Sequence, residues 1–282
     1  MARIDGAPPP DKAFVPVSIQ RYIQLVNSSR PTRRTFLQAA LALSATLGAR
    51  RSWALGDREK FAIAAIAYDG GNWQPRPTGL RRLLWEIDKR TSIDARLEPV
   101  EVRLTDPELH RWPLLYLAGD RAFTPFTDDE VARLRLHLQS GGMLIIDGAE
   151  GHPGGGFDQT IRQLSVRLFP KEPIEKLSED HVIYKSFYLL HSAAGRVLAV
   201  PFLETILHDG RAAVVYCQND LGGAYARDNF GQWEHEVFPG GDAQREQAFR
   251  LGVNLVMYAT CLDYKTDQVH VPFILRRRRW QP

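Results

Sequence analysis

Apolar residues along the chain fall into continuous runs that alternate with amphipathic stretches. Phe61 to Tyr68 is apolar throughout and stops at Asp69-Gly70-Gly71, the pattern of a strand covered on both faces. Pro113 to Ala118, ending at Gly119-Asp120, and Met143 to Ile146, ending at Asp147-Gly148, repeat it, and Ala212 to Cys217 reads as a further strand. Val100 to Leu104 alternates, as a more exposed strand does. Between these runs the period changes to that of a helix. From Thr78 to Arg90, Leu80, Leu83, Leu84 and Ile87 recur on one face, with Thr78 as the predicted cap. Thr127 and Glu130 have capping-box spacing ahead of Val131, Leu134 and Leu138, and Gly141-Gly142 ends that helix. Phe157 to Phe169 reads as a helix on Ile161, Leu164, Val166 and Leu168. After Cys217 a loop is expected to residue 241, then a last helix from Ala243 to Tyr258. Strand and helix taking turns predict an α/β domain over residues 57–275, a three-layer doubly wound, mostly parallel sheet with helices on both faces.

Ahead of that domain the pattern differs. Arg33-Arg34 stand before Phe36-Leu37, a short apolar stretch follows, and Ser52-Trp53-Ala54 offers a small-x-small cleavage site. Residues 1–54 therefore resemble a twin-arginine signal peptide with a long n-region, which implies a periplasmic or extracytoplasmic protein. The longest run of apolar and small residues, Ala39 to Ala49, holds 11, where a membrane-spanning helix needs about 20, so no transmembrane span is predicted. In an oxidising compartment Cys217 and Cys261 could form a bridge; the alternative is two small buried hydrophobes.

Charge changes the picture of the partners. The net charge of +3 and pI near 8.9 suggest an anionic partner, but residues 1–56 carry eight arginines and lysines against two acids. The remaining 226 residues hold 28 basic and 31 acidic side chains, so the domain itself is mildly acidic and a nucleic-acid face is not expected. A second basic cluster, Arg276 to Arg279 beside Trp280, opens a tail over 276–282; it either touches anionic lipid headgroups peripherally or pairs with carboxylates of the domain.

Three stretches carry a family resemblance: Arg111 to Gly119, Leu134 to Asp147 and Arg250 to Ala259, together with Phe169-Pro170 and Asp180-His181. They resemble the bacterial family known as domain of unknown function 4159. The resemblance implies the flavodoxin-like fold of the class I glutamine amidotransferases and no established activity. An amidotransferase requires a cysteine on the turn between a central strand and the next helix. After Met143 to Ile146, the expected elbow strand, this chain has Asp147-Gly148-Ala149-Glu150, so glutamine hydrolysis is not expected.

In open parallel sheets ligands sit outside the carboxyl ends of the strands. Those ends supply Asp69, Asn72, Trp73, Asp120, Asp147, Glu150, Asn219 and Asp220, a set suited to a small polar ligand, with Trp73 as a stacking wall. Asp120, Asp147, Glu150 and His152 are the candidates for a divalent metal, and Asp147, His152 and His181 those for catalysis. Aspartate and glycine are also the ordinary punctuation of strand ends, and His181 is as well suited to capping as to chemistry. No phosphate-loop, zinc or serine-elbow motif is present. Three readings follow: a non-catalytic module binding a small polar ligand or an envelope protein, a metal-assisted hydrolase of a carbohydrate or cell-wall fragment, and a scaffold with an empty crevice.

Overall fold

A computed structural model describes residues 60–261, so the signal-like segment 1–54 and the tail 276–282 lie outside the described residues. Seven strands form one mixed sheet in the order β2-β1-β3-β4-β7-β6-β5. β1 (Ala64–Ile66), β2 (Val100–Val102), β3 (Leu114–Gly119), β4 (Met143–Gly148) and β7 (Arg211–Cys217) run parallel. β6 (Glu204–His208) and β5 (Glu175–Lys176) complete the sheet by antiparallel pairing. Every residue of β3 and β4 is buried, as their uninterrupted apolar sequences require of strands covered on both faces.

The covers form two separate cores. On one face α1 (Gly79–Arg90), the short α4 (Leu221–Tyr225) and α5 (Gly241–Thr260) pack Leu84, Ile87, Tyr225 and Val253 against the sheet. On the other, α2 (Asp128–Gln139) and α3 (Gly156–Leu168) contribute Leu134, Leu138, Ile161 and Leu164. The three-layer α/β arrangement is the one the alternating runs predict. The Thr127–Glu130 capping box closes in both directions, a contribution of about 1 kcal/mol.

Local details differ from the pattern. Thr78 stands at the start of α1 but donates its hydroxyl to Glu234 (2.8 Å) instead of capping. Val166 is 66% exposed, because the buried stripe of α3 runs through Phe157, Ile161, Leu164 and Leu168. The stretch after Cys217 is not all loop: Leu221 to Tyr225 are helical despite two glycines. Cys217 and Cys261 are both free, and Cys217 is fully buried.

Candidate functional site

The strand order reverses between β1 and β3, so the ligand crevice of a doubly wound sheet belongs between their carboxyl ends. Aromatic side chains fill it. Tyr68 donates its hydroxyl to the carbonyls of Ala118 (2.7 Å) and Asn72 (3.0 Å), and its ring lies 4.3 Å from that of Phe123. Phe157, fully buried, packs against Phe123 and crosses the end of β3 at Gly119, where a Cβ would stand 2.2 Å from its ring. Trp73, the expected stacking wall, is half-buried and packs against both cores.

The deepest polar group lies at the ends of β4 and β7. Asp147, with no exposed surface, accepts from the Leu221 N–H at Oδ1 (2.7 Å) and from the Gly222 N–H (2.7 Å) and Tyr116 hydroxyl (2.5 Å) at Oδ2. Its acceptors are therefore met by the first turn of α4 and by the neighbouring strand. Burial, with the charge of Asp220 beside it, holds its carboxyl above the usual carboxylate range, against the opposing pull of those three donors.

Asp220, also without exposed surface, makes the turn from β7 into α4. Its backbone is left-handed (φ 55°, ψ 68°), a conformation that Asp tolerates, and its side chain accepts from the Gly223 N–H (2.9 Å). Two guanidinium groups converge on the same carboxylate: Arg76 through Nε (3.1 Å) and Nη2 (2.7 Å), and Arg196 through Nε. The sharp strand-to-helix turn is thus at Asp220, after β7, and not after β4. Cys217 lies before it, with its thiol pKa pushed up by burial and by Asp147, the opposite of an activated nucleophile.

The remaining predicted residues have separate duties. Asp69 is exposed and pairs with Arg103 (3.1 Å), which holds its carboxyl below the usual range. Asn72 donates to Asp120 (2.7 Å), and Asp120 also takes Arg121 (2.8 Å). Glu150 accepts from the Phe157 (3.0 Å) and Asp158 (3.3 Å) N–H groups, so it closes the start of α3. Asn219 ties down the segment below it by exchanging bonds with the Val200 N–H (3.0 Å) and carbonyl (2.7 Å). His152 is exposed in its loop, its Nδ1 3.3 Å from the carbonyl of Pro153. His181 Nδ1 accepts from the Ile183 N–H (3.2 Å) at the head of a 3-10 turn, and burial lowers its pKa to about 4.

Asp147 and Asp220 share one buried network; Asn72 and Asp120 form a hydrogen-bonded pair that also interacts electrostatically with Arg76, and Asp69, Glu150, His152 and His181 are each engaged by their own partners. Asp120, Asp147, Glu150 and His152 do not meet. Among the described residues no group of three or more His, Cys, Asp or Glu is arranged to hold a metal ion.

An open space does exist beside the first turn of α1. A cleft of about 350 Å3 is lined by Thr78, Arg81, Glu98, Asp228, Asn229 and Glu234. Its far wall is the loop after α4, fastened by Arg245, which donates to the carbonyls of Ala224 and His235 (both 2.7 Å) and lies over the Trp233 ring at 4.2 Å. At the loop tip Phe230 is 92% exposed, and Asp228 accepts its N–H (2.9 Å) and that of Gln232 (2.7 Å). A loop over this stretch was expected from the sequence, and Asp228-Asn229 with Gly231 mark its turn, but sequence reasoning gave no site role to it or to Arg76, Arg196 and Tyr116.

No helix among the described residues is long and apolar enough to cross a membrane. Residues 62–260 match a family profile described as Domain of unknown function (DUF4159). No curated protein matches the chain.

Proposed function

The chain belongs to the family of the domain of unknown function DUF4159, and from that premise and its geometry we propose a non-catalytic binding module of the cell envelope. In this reading residues 1–54 are a twin-arginine signal, the domain is a relative of the class I glutamine amidotransferases without their nucleophilic cysteine, and it works outside the cytoplasm.

The observation that carries the proposal is the state of Asp147. A catalytic carboxylate must offer an oxygen to a substrate, a water or an ion. Both oxygens of Asp147 are instead committed to protein donors, beneath surface that leaves none of the residue exposed. Asp220 is closed in the same way by Arg76, Arg196 and Gly223. The metal-assisted hydrolase has less support, because its four candidate ligands have different partners in different places.

Binding then falls to the cleft beside α1. Its hydroxyl, amide, guanidinium and carboxylate groups match a hydroxyl-rich ligand. The test is calorimetry of the full chain with soluble muropeptides, with mass spectrometry of the recovered ligand. Saturable binding, intact ligand and loss of binding in Asn229→Ala combined with Glu234→Ala are expected. Cleavage of the muropeptide that stops with Asp147→Asn would refute the non-catalytic reading, and no binding would refute the ligand class.

A further inference from the structure

A second open space lies at the opposite ends of β3 and β4, where those strands begin. It is a groove of about 550 Å3, within the range of about 300–1,000 Å3 typical of small-molecule sites. One side is the 3-10 turn Leu109–Arg111 with Pro113, and the other is the last turn of α2 with Gly141-Gly142. The two sides present different chemistry at different depths.

The floor is apolar. Leu104 and Leu109 are buried there, while Leu136, at the mouth, is 65% exposed on a helix whose other leucines point inward. The imidazole of His137 forms part of the wall, lying so close to Gly142 that a Cβ there would stand 2.0 Å from Nε2. His137 is 7% exposed, and its buried Nε2 has no hydrogen-bond partner among the described residues. A polar atom left in that state costs about 1–3 kcal/mol, which is tolerated where another purpose keeps it.

The rim is cationic. Arg111 and Arg133 both line the groove; each pairs with an exposed neighbour on its own segment, Glu108 at 2.6 Å and Asp129 at 2.7 Å, and Arg111 also lies 5.8 Å from the Trp112 ring. Such exposed pairs are worth about 0–1 kcal/mol, so either guanidinium turns to a better anion at little cost. The one carboxylate in the lining, Asp106, already accepts from the Arg103 N–H (2.8 Å).

We propose that this groove is a binding site for a small amphiphilic carboxylate. Its apolar body lies along Leu104, Leu109 and Leu136, and its head meets Arg111 and Arg133. Charge sets this occupant against the chain's own apolar segment 269–275, which is followed directly by four arginines that would stand against the two on the rim. The site is independent of the cleft beside α1, so either proposal can fail alone.

The test uses the full chain and two probes of matched tail and opposite head, decanoate and decyltrimethylammonium, by calorimetry below their micelle concentrations. Saturable one-to-one binding of decanoate is expected, at least tenfold tighter than that of the ammonium. Leu136→Glu, at an exposed helix position, and Arg133→Glu should each weaken decanoate at least tenfold. Leu189→Glu, at a 76% exposed leucine outside the groove lining, should leave it unchanged. Circular dichroism and the thermal midpoint confirm that each variant is folded. Absence of saturation, equal affinity for both probes, or binding indifferent to Leu136→Glu would overturn the proposal. So would decanoate binding that appears only with Phe273→Glu and Ile274→Glu, which would assign the groove to the tail.

Discussion

Replacing Asp147 by Leu and by Asn separates a structural carboxylate from a catalytic one. Leucine removes the acceptor for Leu221 N–H, Gly222 N–H and the Tyr116 hydroxyl, all within 2.7 Å of the carboxylate. Each buried donor left unmet costs about 1–3 kcal/mol, so Asp147→Leu is expected to cost about 3–9 kcal/mol. Against a typical total of about 5–15 kcal/mol, that unfolds much of the population or nearly so. Asparagine keeps one acceptor oxygen. With that oxygen at the Oδ2 position, the bonds to Tyr116 and Gly222 survive, and the amide NH2 faces the Leu221 N–H. The loss of one charge-assisted bond, about 1.5–3 kcal/mol, is partly offset because the repulsion from Asp220 and the burial of a charge also disappear. A net cost of about 1–3 kcal/mol is expected. Urea unfolding of the full chain and both variants, followed by circular dichroism, measures the difference. An Asp147→Leu protein within about 1 kcal/mol of the parent, or an Asn variant as unstable as the Leu one, would refute the account of this network.

Two further outcomes follow from separate features. His137 and His181 both have pKa values lowered to about 4 by burial, so the unfolded chain takes up protons first as pH falls from about 6.5. Their contribution is complete above that pH and is lost toward pH 4, at up to about 3 kcal/mol each. Asp147 acts in the opposite direction, since its raised pKa favours the folded protein in acid. His181→Asn, which retains an acceptor for the Ile183 N–H, should reduce the loss of urea stability between pH 7 and 4.5; an unchanged loss would exclude His181 as a source. For export, Arg33→Lys with Arg34→Lys should leave the precursor in the cytoplasm on fractionation, and normal export would remove the localisation proposal.

The parallel centre of the sheet was legible because β1, β3, β4 and β7 are written as nearly unbroken apolar runs, which only doubly covered strands require. β5 is two exposed charged residues, Glu175 and Lys176, and carries no such signal. α4 was hidden by Gly222-Gly223, poor helix formers, although Asp220 in front of Leu221 was a legible cap. Asp147 and Asp220 were visible as carboxylates at strand ends. Their partners were not, because Arg76 stands 144 residues from Asp220 and Tyr116 stands 31 from Asp147, and nothing in local sequence pairs them. The aromatic plug was equally out of reach, since Tyr68, Phe123 and Phe157 meet only when β1 and β3 lie side by side.

Both borders of the sheet are cut short, at three residues in β2 and two in β5. A ladder that brief gives an incoming chain few main-chain groups to bond, and the charged pair Glu175-Lys176 further penalises stacking of one copy on another. Fibril-like growth by strand addition is thereby disfavoured at both edges of the described sheet.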